Sequence, residues 1–233
     1  MVKETWHYTW TEYIAALLKK ADMEYNSAIF FIFLFLFLCV YFLLRSPRIK
    51  KRWILAGNLV FYLWSGWAAA GIVAVTAAAT YWAAGRMEKV YRGFEKEKQE
   101  LSPREQAVRL QAYKRKAKKY LLAAMIFILG IWIFVKIGRL AGLMPVETLA
   151  EVIQRKGIIV PLGISYYSLS AIGYVLDVYW RKTKAEHNFL DLFTVMTYFP
   201  HIVQGPISKY ETLLKQLKNL PAFQYERVCR GLQ

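Results

Sequence analysis

The chain has 233 residues, 57% of them hydrophobic and 16% aromatic, with 32 Lys and Arg against 16 Asp and Glu and a net charge of +16. Uncharged runs of bilayer length exclude an ordinary soluble domain. Because the cations flank those runs, the charge reads as cytoplasmic-loop bias and contact with anionic lipid rather than as a nucleic-acid surface.

Residues 5–18 set Trp6, Tyr8, Trp10 and Tyr13 among polar neighbours, which suits a segment lying at headgroup level. Residues 25–44 then run for 20 positions without a charge. At about 1.5 Å per residue that is roughly 30 Å, the thickness of a hydrocarbon core. A cleavable signal would start earlier and end in a small-residue site. Here Arg45, Arg48, Lys50, Lys51 and Arg52 follow instead, a stop-transfer pattern that predicts a cytoplasmic cluster and an N-terminus outside.

Residues 53–85 carry no charge over 33 positions, and the loop at 86–119 beyond them holds twelve Lys and Arg against five Glu. Both flanks read as cytoplasmic, so the segment crosses an even number of times, as a short hairpin or as a re-entrant turn near 57–66 followed by a span. Gly66, Ala70, Ala74 and Ala78 recur every four residues, either a stripe for close helix approach or a plain Ala-rich helix. Ser102, Pro103 and Glu105 predict an N-cap, an N1 proline and a capping-box acid. That helix enters the bilayer near Tyr120, with Lys136 and Arg139 snorkelling, and Gly142 and Pro145 end it.

Residues 157–180 bring the chain back to Arg181, Lys182 and Lys184. Asp177, four residues before Arg181, predicts a structural ion pair. Asn188 predicts a helix cap with Asp191 as its N3 acid. The next uncharged stretch, 192–208, has only 17 residues, with Arg181, Lys182 and Lys184 upstream and Lys209, Lys215 and Lys218 after it, so both ends read as cytoplasmic. It contains YFPHIVQGPISKY, where Pro200, His201, Gln204, Gly205 and Pro206 interrupt regular helix. A segment that enters, breaks and leaves on one side fits this pattern. Irregular backbone at membrane depth survives where it lines a cavity or is buried in protein. His201 either contacts a substrate there or orients the break.

The residues alone predict one all-α, polytopic integral membrane domain with a re-entrant, broken helix. Its spans lie near 25–44, 53–85, 120–143 and 157–180, and its re-entrant segment at 189–208. Cys39 and Cys229 make no metal or disulfide framework, and His7, His187 and His201 have no ligand spacing. His187 reads as a solvated loop residue. Gly163-Ile164-Ser165-Tyr166-Tyr167 lacks the last glycine of a nucleophile elbow, and no P-loop or dinucleotide fingerprint is present.

PLGISYYSLSAIGYVLDVYWRKTKAEHNFLDLFTVMTYFPHIVQGPISKY, residues 161–210, resembles the signature block of the membrane-bound O-acyltransferases, in particular the bacterial branch that serves alginate and teichoic-acid modification. The segment from Asn58 to Trp67 fits the same family less specifically. The resemblance implies transfer of an acyl group, acetyl for preference, from a cytoplasmic acyl-CoA or carrier-protein thioester to a hydroxyl of an extracytoplasmic polysaccharide or cell-wall polymer. It implies no bound cofactor or metal, and contact with membrane lipids and with the acceptor, directly or through a partner protein. Tyr166, Tyr167 and Ser168 either line the tunnel such a reaction needs or pack beside it. The family's invariant histidine is expected after Gln233, so no residue of this chain inherits the catalytic role and the chain alone is expected to be inactive. A channel or transporter with a re-entrant site, and a non-catalytic scaffold, are the alternatives.

Overall fold

The computed structural model describes residues 28–64, 67–140, 163–202, 210–220, 226 and 229–230, and every regular element among them is helical. The chain divides into two units, Met1–Leu43 and Leu44–Gln233. In the first, α1 (Ala28–Leu43) is 16 uncharged residues, ten of them Phe or Leu. It spans about 24 Å. Phe33 and Phe37, one turn apart, stack with centroids 6.2 Å apart, and Phe31, Ile32, Phe35 and Leu36 are exposed. The interfacial segment expected at 5–18 lies outside the described residues.

The second unit holds α2 (Pro47–Trp64), α3 (Trp67–Glu97), α4 (Pro103–Leu140), α5 (Ile164–Tyr179), α6 (Phe189–Met196), α7 (Phe199–Ile202) and α8 (Tyr210–Lys218). Residues 53–85 divide between α2 and α3, and both helices reach past the uncharged run. The basic cluster at 45–52 is helical from Pro47, which suits an N1 proline. At the other end α3 carries its basic residues in register as far as Glu97.

Ser102 begins α4 as its sequence implies. Its backbone N–H and its hydroxyl both donate to the Glu105 carboxylate, at 2.9 and 2.6 Å, and Pro103 occupies the first turn. Within this helix Pro103–Lys136 is, among the described residues, the stretch long and apolar enough to cross a bilayer. Only 22% of its most apolar window is buried, unlike the core helix of a soluble protein.

Helices α3, α4 and α5 form the core. Ala77, Ala84 and Met87 meet Ala117, Leu121, Ala124 and Ile128 of α4 and Ala171, Val175 and Val178 of α5 in one buried cluster. Small residues let the backbones approach closely. Gly66 of the expected stripe lies outside the described residues, and the rest of it differs from the buried face, for Ala78 is exposed and Ala70 and Ala74 are half-buried. The buried face instead runs through Ala69, Val73, Ala77, Thr80, Ala84, Met87, Tyr91 and Phe94. Its mixed steps of four and three follow the 3.6-residue turn, whereas a strict four-residue stripe rotates off the contact. The buried Thr76 and Thr80 hydroxyls donate to carbonyls one turn back, at 2.8 and 2.7 Å.

Candidate functional site

Helix α6 opens on Asn188, whose side-chain oxygen accepts from the Leu190 N–H at 3.0 Å while its amide donates to Asp191 at 3.1 Å. Asp191 is buried and forms an ion pair with Lys51 of α2, which fixes α6 against that helix. A buried carboxylate needs such a partner.

The ladder stops at Met196. Pro200 has no N–H to give the Met196 carbonyl and its ring crowds that carbonyl, so the ladder of α6 cannot run on through it. Continuous helix would join the Phe199 N–H to the Val195 carbonyl and give the Thr194 carbonyl a donor from Tyr198. Both groups are released, and Asn58 of α2, fully buried, takes both. Its amide nitrogen donates to the Thr194 carbonyl at 3.0 Å and to the Thr197 hydroxyl at 3.2 Å, and its oxygen accepts from the Phe199 N–H at 3.3 Å. Phe61, one turn further along α2, stacks on Phe199 with centroids 5.6 Å apart. A helix can break in an apolar environment when its freed backbone groups find partners, and here a single carboxamide supplies them.

His201 follows in α7. Its backbone N–H donates to the Tyr198 carbonyl at 3.1 Å, and its half-buried ring lies 5.4 Å from the Tyr198 ring. Pro200 is exposed. Gln204, Gly205 and Pro206 lie outside the described residues. Tyr166 and Ser168 stand on α5, the first half-buried and the second buried, and that helix packs on α3 and α4. The hydroxyls of Tyr166 and Tyr167 are buried without a partner among the described residues. The structure therefore gathers Asn58, Thr197, Phe199 and His201 at the break and keeps the tyrosines of α5 on a separate helix.

The pairing expected between Asp177 and Arg181 is corrected. Helix α5 ends at Tyr179, and Arg181 takes a φ of 60° in the left-handed region. Its N–H donates to the Val178 carbonyl and the Lys182 N–H to the Asp177 carbonyl, a Schellman closure with arginine where glycine is usual. That turn carries the guanidinium off the helical i, i+4 track. It pairs with Glu95 of α3 and sits 5.5 Å from the rings of both Tyr91 and Phe94.

The loop that follows is pinned by hydroxyls. Tyr91 donates to the Tyr179 carbonyl at 2.7 Å, Tyr81 to the His187 carbonyl at 2.8 Å, and the Glu186 N–H donates to the Tyr174 hydroxyl at 2.8 Å. The Glu186 carboxylate accepts from the N–H groups of His187 and Asn188, at 3.1 Å each, and from Lys218 of α8 at 2.7 Å. Burial works against its charge, but the lysine and the two N–H groups outweigh that and hold the carboxyl below its ordinary value. His187 is exposed, yet it is more than a solvated loop residue, for its Nε2 lies 2.8 Å from Arg92 and 3.3 Å from Glu88.

Asn58, Lys51 and Glu186 carry the site, and sequence reasoning missed their roles. Asn58 left a trace, since it is the polar amide inside an uncharged run where such a side chain marks a site by default. Lys51 was hidden in a basic cluster.

All-helical construction, an exposed apolar stretch of bilayer length and a break stitched by a buried amide define an all-α membrane protein. No family model and no solved structure matches the chain. Among curated proteins it is homologous to those called "probable alginate O-acetylase AlgI". The protein of Pseudomonas aeruginosa is 27% identical over 209 residues, covering 84% of this chain and 35% of the relative. That of Azotobacter vinelandii is 28% identical over 210 residues, with coverage of 84% and 36%. That of Pseudomonas putida is 28% identical over 209 residues, with coverage of 84% and 37%. The chain thus spans about a third of the length of these relatives. The homology bears out the resemblance to membrane-bound O-acyltransferases read from residues 161–210.

Proposed function

We propose that this chain belongs to a membrane O-acetyltransferase that moves an acetyl group from a thioester, acyl-CoA or acyl-carrier, to a hydroxyl of an extracytoplasmic polysaccharide of the alginate type. The observation that carries the reading is homology to alginate O-acetylases across most of the chain, joined to a broken helix held at 197–199 by Asn58. In the reaction a base removes the acceptor hydroxyl proton, the alkoxide oxygen forms the new ester bond, and the carbon–sulfur bond breaks to release a thiol that takes up a proton. Such a transfer needs a polar path through the bilayer. In this reading the break contributes a wall of that path, with His201 beside it and Gln204, Gly205, Pro206, Tyr166 and Ser168 as further wall candidates.

The same reading makes the chain multi-pass in the cytoplasmic membrane, with its N-terminus outside and the basic segments at 45–52, 86–119 and 181–184 in the cytoplasm. It supposes no bound cofactor and no nucleic-acid partner. Polysaccharide reaches the enzyme directly or through a partner protein. The test is transfer of labelled acetyl from acetyl-CoA, or from an acetylated carrier protein, to polymannuronate by vesicles bearing the full-length enzyme to which this chain is proposed to belong. Label appearing in the polymer as an alkali-labile ester supports the reading. Absence of label with either donor, in vesicles where the protein has inserted, defeats it. Cysteine labelling at Lys98 from the cytoplasmic side and at Glu4 from the outside checks the orientation.

A further inference from the structure

The loop at 180–188 faces α3 across two cavities that share the side chains of Glu88, Arg92 and His187. The larger, about 540 Å³, is lined also by Glu95, Arg181 and Lys184. The smaller, about 260 Å³, is lined by Arg86 and Lys89. Five cations thus line this space against the three carboxylates of Glu88, Glu95 and Glu186. Two of the five are held rigid. Arg92 donates to Glu88 at 2.8 and 3.0 Å, and Arg181 is fixed by Glu95 and two aromatic rings. Lys89 and Lys184 are exposed and meet no carboxylate among the described residues.

Two further observations point to a ligand. Arg181 adopts a backbone conformation that glycine would take at less cost, and strain of this kind is retained where a side chain is needed in place. Glu88 Oε2 is buried with no donor among the described residues, directly beside the cations. An orphan acceptor among fixed guanidiniums suits a ligand that presents both an anion and a hydroxyl or amide donor. The larger cavity, about 540 Å³, is within the range of about 300–1,000 Å³ usual for small-molecule sites.

We propose that this cavity binds the phosphate of a phosphate ester whose adjoining hydroxyl or amide reaches Glu88. Two sources offer that chemistry, a soluble phosphopantetheine-bearing thioester and an anionic phospholipid headgroup. Only the first rests on the acyl-transfer reading.

The experiment uses the purified protein in phosphatidylcholine nanodiscs, titrated calorimetrically with coenzyme A. The comparison is with Lys89→Gln/Lys184→Gln, which removes two exposed charges, and with Arg181→Gly, which suits the turn while removing the guanidinium. In the second arm phosphatidylglycerol is mixed into the nanodisc, and its retention over phosphatidylcholine is read by native mass spectrometry. Coenzyme A binding that weakens about tenfold in both variants, with unchanged thermal midpoints, establishes the site and its soluble source. Absence of coenzyme A binding, with phosphatidylglycerol retention that falls in both variants, establishes the site with a lipid source. If neither ligand's binding moves with the substitutions, the proposal is overturned. Coenzyme A bound here, when the full-length enzyme acetylates nothing, refutes the acyl-transfer reading and leaves this site standing.

Discussion

Asn58 replaces two links of a helix ladder with one side chain. Its amide meets a freed carbonyl and a hydroxyl, and its oxygen meets a freed N–H. Leucine has nearly the same volume, so Asn58→Leu removes the polar links with little change in packing. It leaves a buried N–H and a buried carbonyl unpaired, each costing about 1–3 kcal/mol. The thermal midpoint in detergent should fall clearly below that of the native protein, and an unchanged midpoint would mean the break is held by other groups. Asn58 left a trace as an amide in an uncharged run, but its bonds were not legible beforehand, because its partners are 136 to 141 residues away in the chain. The caps at Ser102 and Asn188 were legible because their bonds close within three residues. Arg181 shows the opposite failure. The i, i+4 rule applied to Asp177 presumed that the helix continues, and the helix ends two residues too soon.

At the scale of elements, the face of α3 decides how three helices meet. Ala77 is fully buried in the core cluster, and its neighbour Ala78 is exposed. Ala77→Leu should overpack the α3, α4 and α5 contact at a cost of about 1–3 kcal/mol. Ala78→Leu should leave the midpoint unchanged. The reverse pattern would put the packing stripe where a strict four-residue repeat places it. The sequence showed that α3 is rich in small residues, but its register depends on both neighbouring helices and is not a local property.

The docking of α8 is a second element-level property, because Lys218 reaches back to Glu186. The Glu186 carboxyl lies below its ordinary value in the folded protein. Its contribution to stability is therefore present above the unfolded value of about 4.3. It is lost as the pH falls through the lower folded value. Native protein should be more stable than Glu186→Gln at neutral pH, and the two midpoints should converge as the pH drops below about 4. A gap that persists at low pH would show that the carboxylate charge is not what holds α8.

At the scale of the whole molecule, two polar features stand out among the described residues: the break at 197–199 with its Asn58 stitch, and the cationic cavity between α3 and the 180–188 loop. The all-α membrane class was readable from run lengths, and the relationship to O-acyltransferases from motifs spaced along 161–210. The stitch was not readable, since it joins the part of the sequence where the resemblance is weak to the part where it is strong. That junction is also where the functional claim can be tested most directly. The measurement is transfer of labelled acetyl to polymannuronate by vesicles bearing the full-length enzyme to which this chain is proposed to belong, native or Asn58→Leu, each normalised to inserted protein. Native vesicles should form alkali-labile acetyl esters, and Asn58→Leu vesicles with equal insertion should lose most of that transfer. Transfer by Asn58→Leu at the native rate would contradict the account, for the stitched break would then play no part in the reaction.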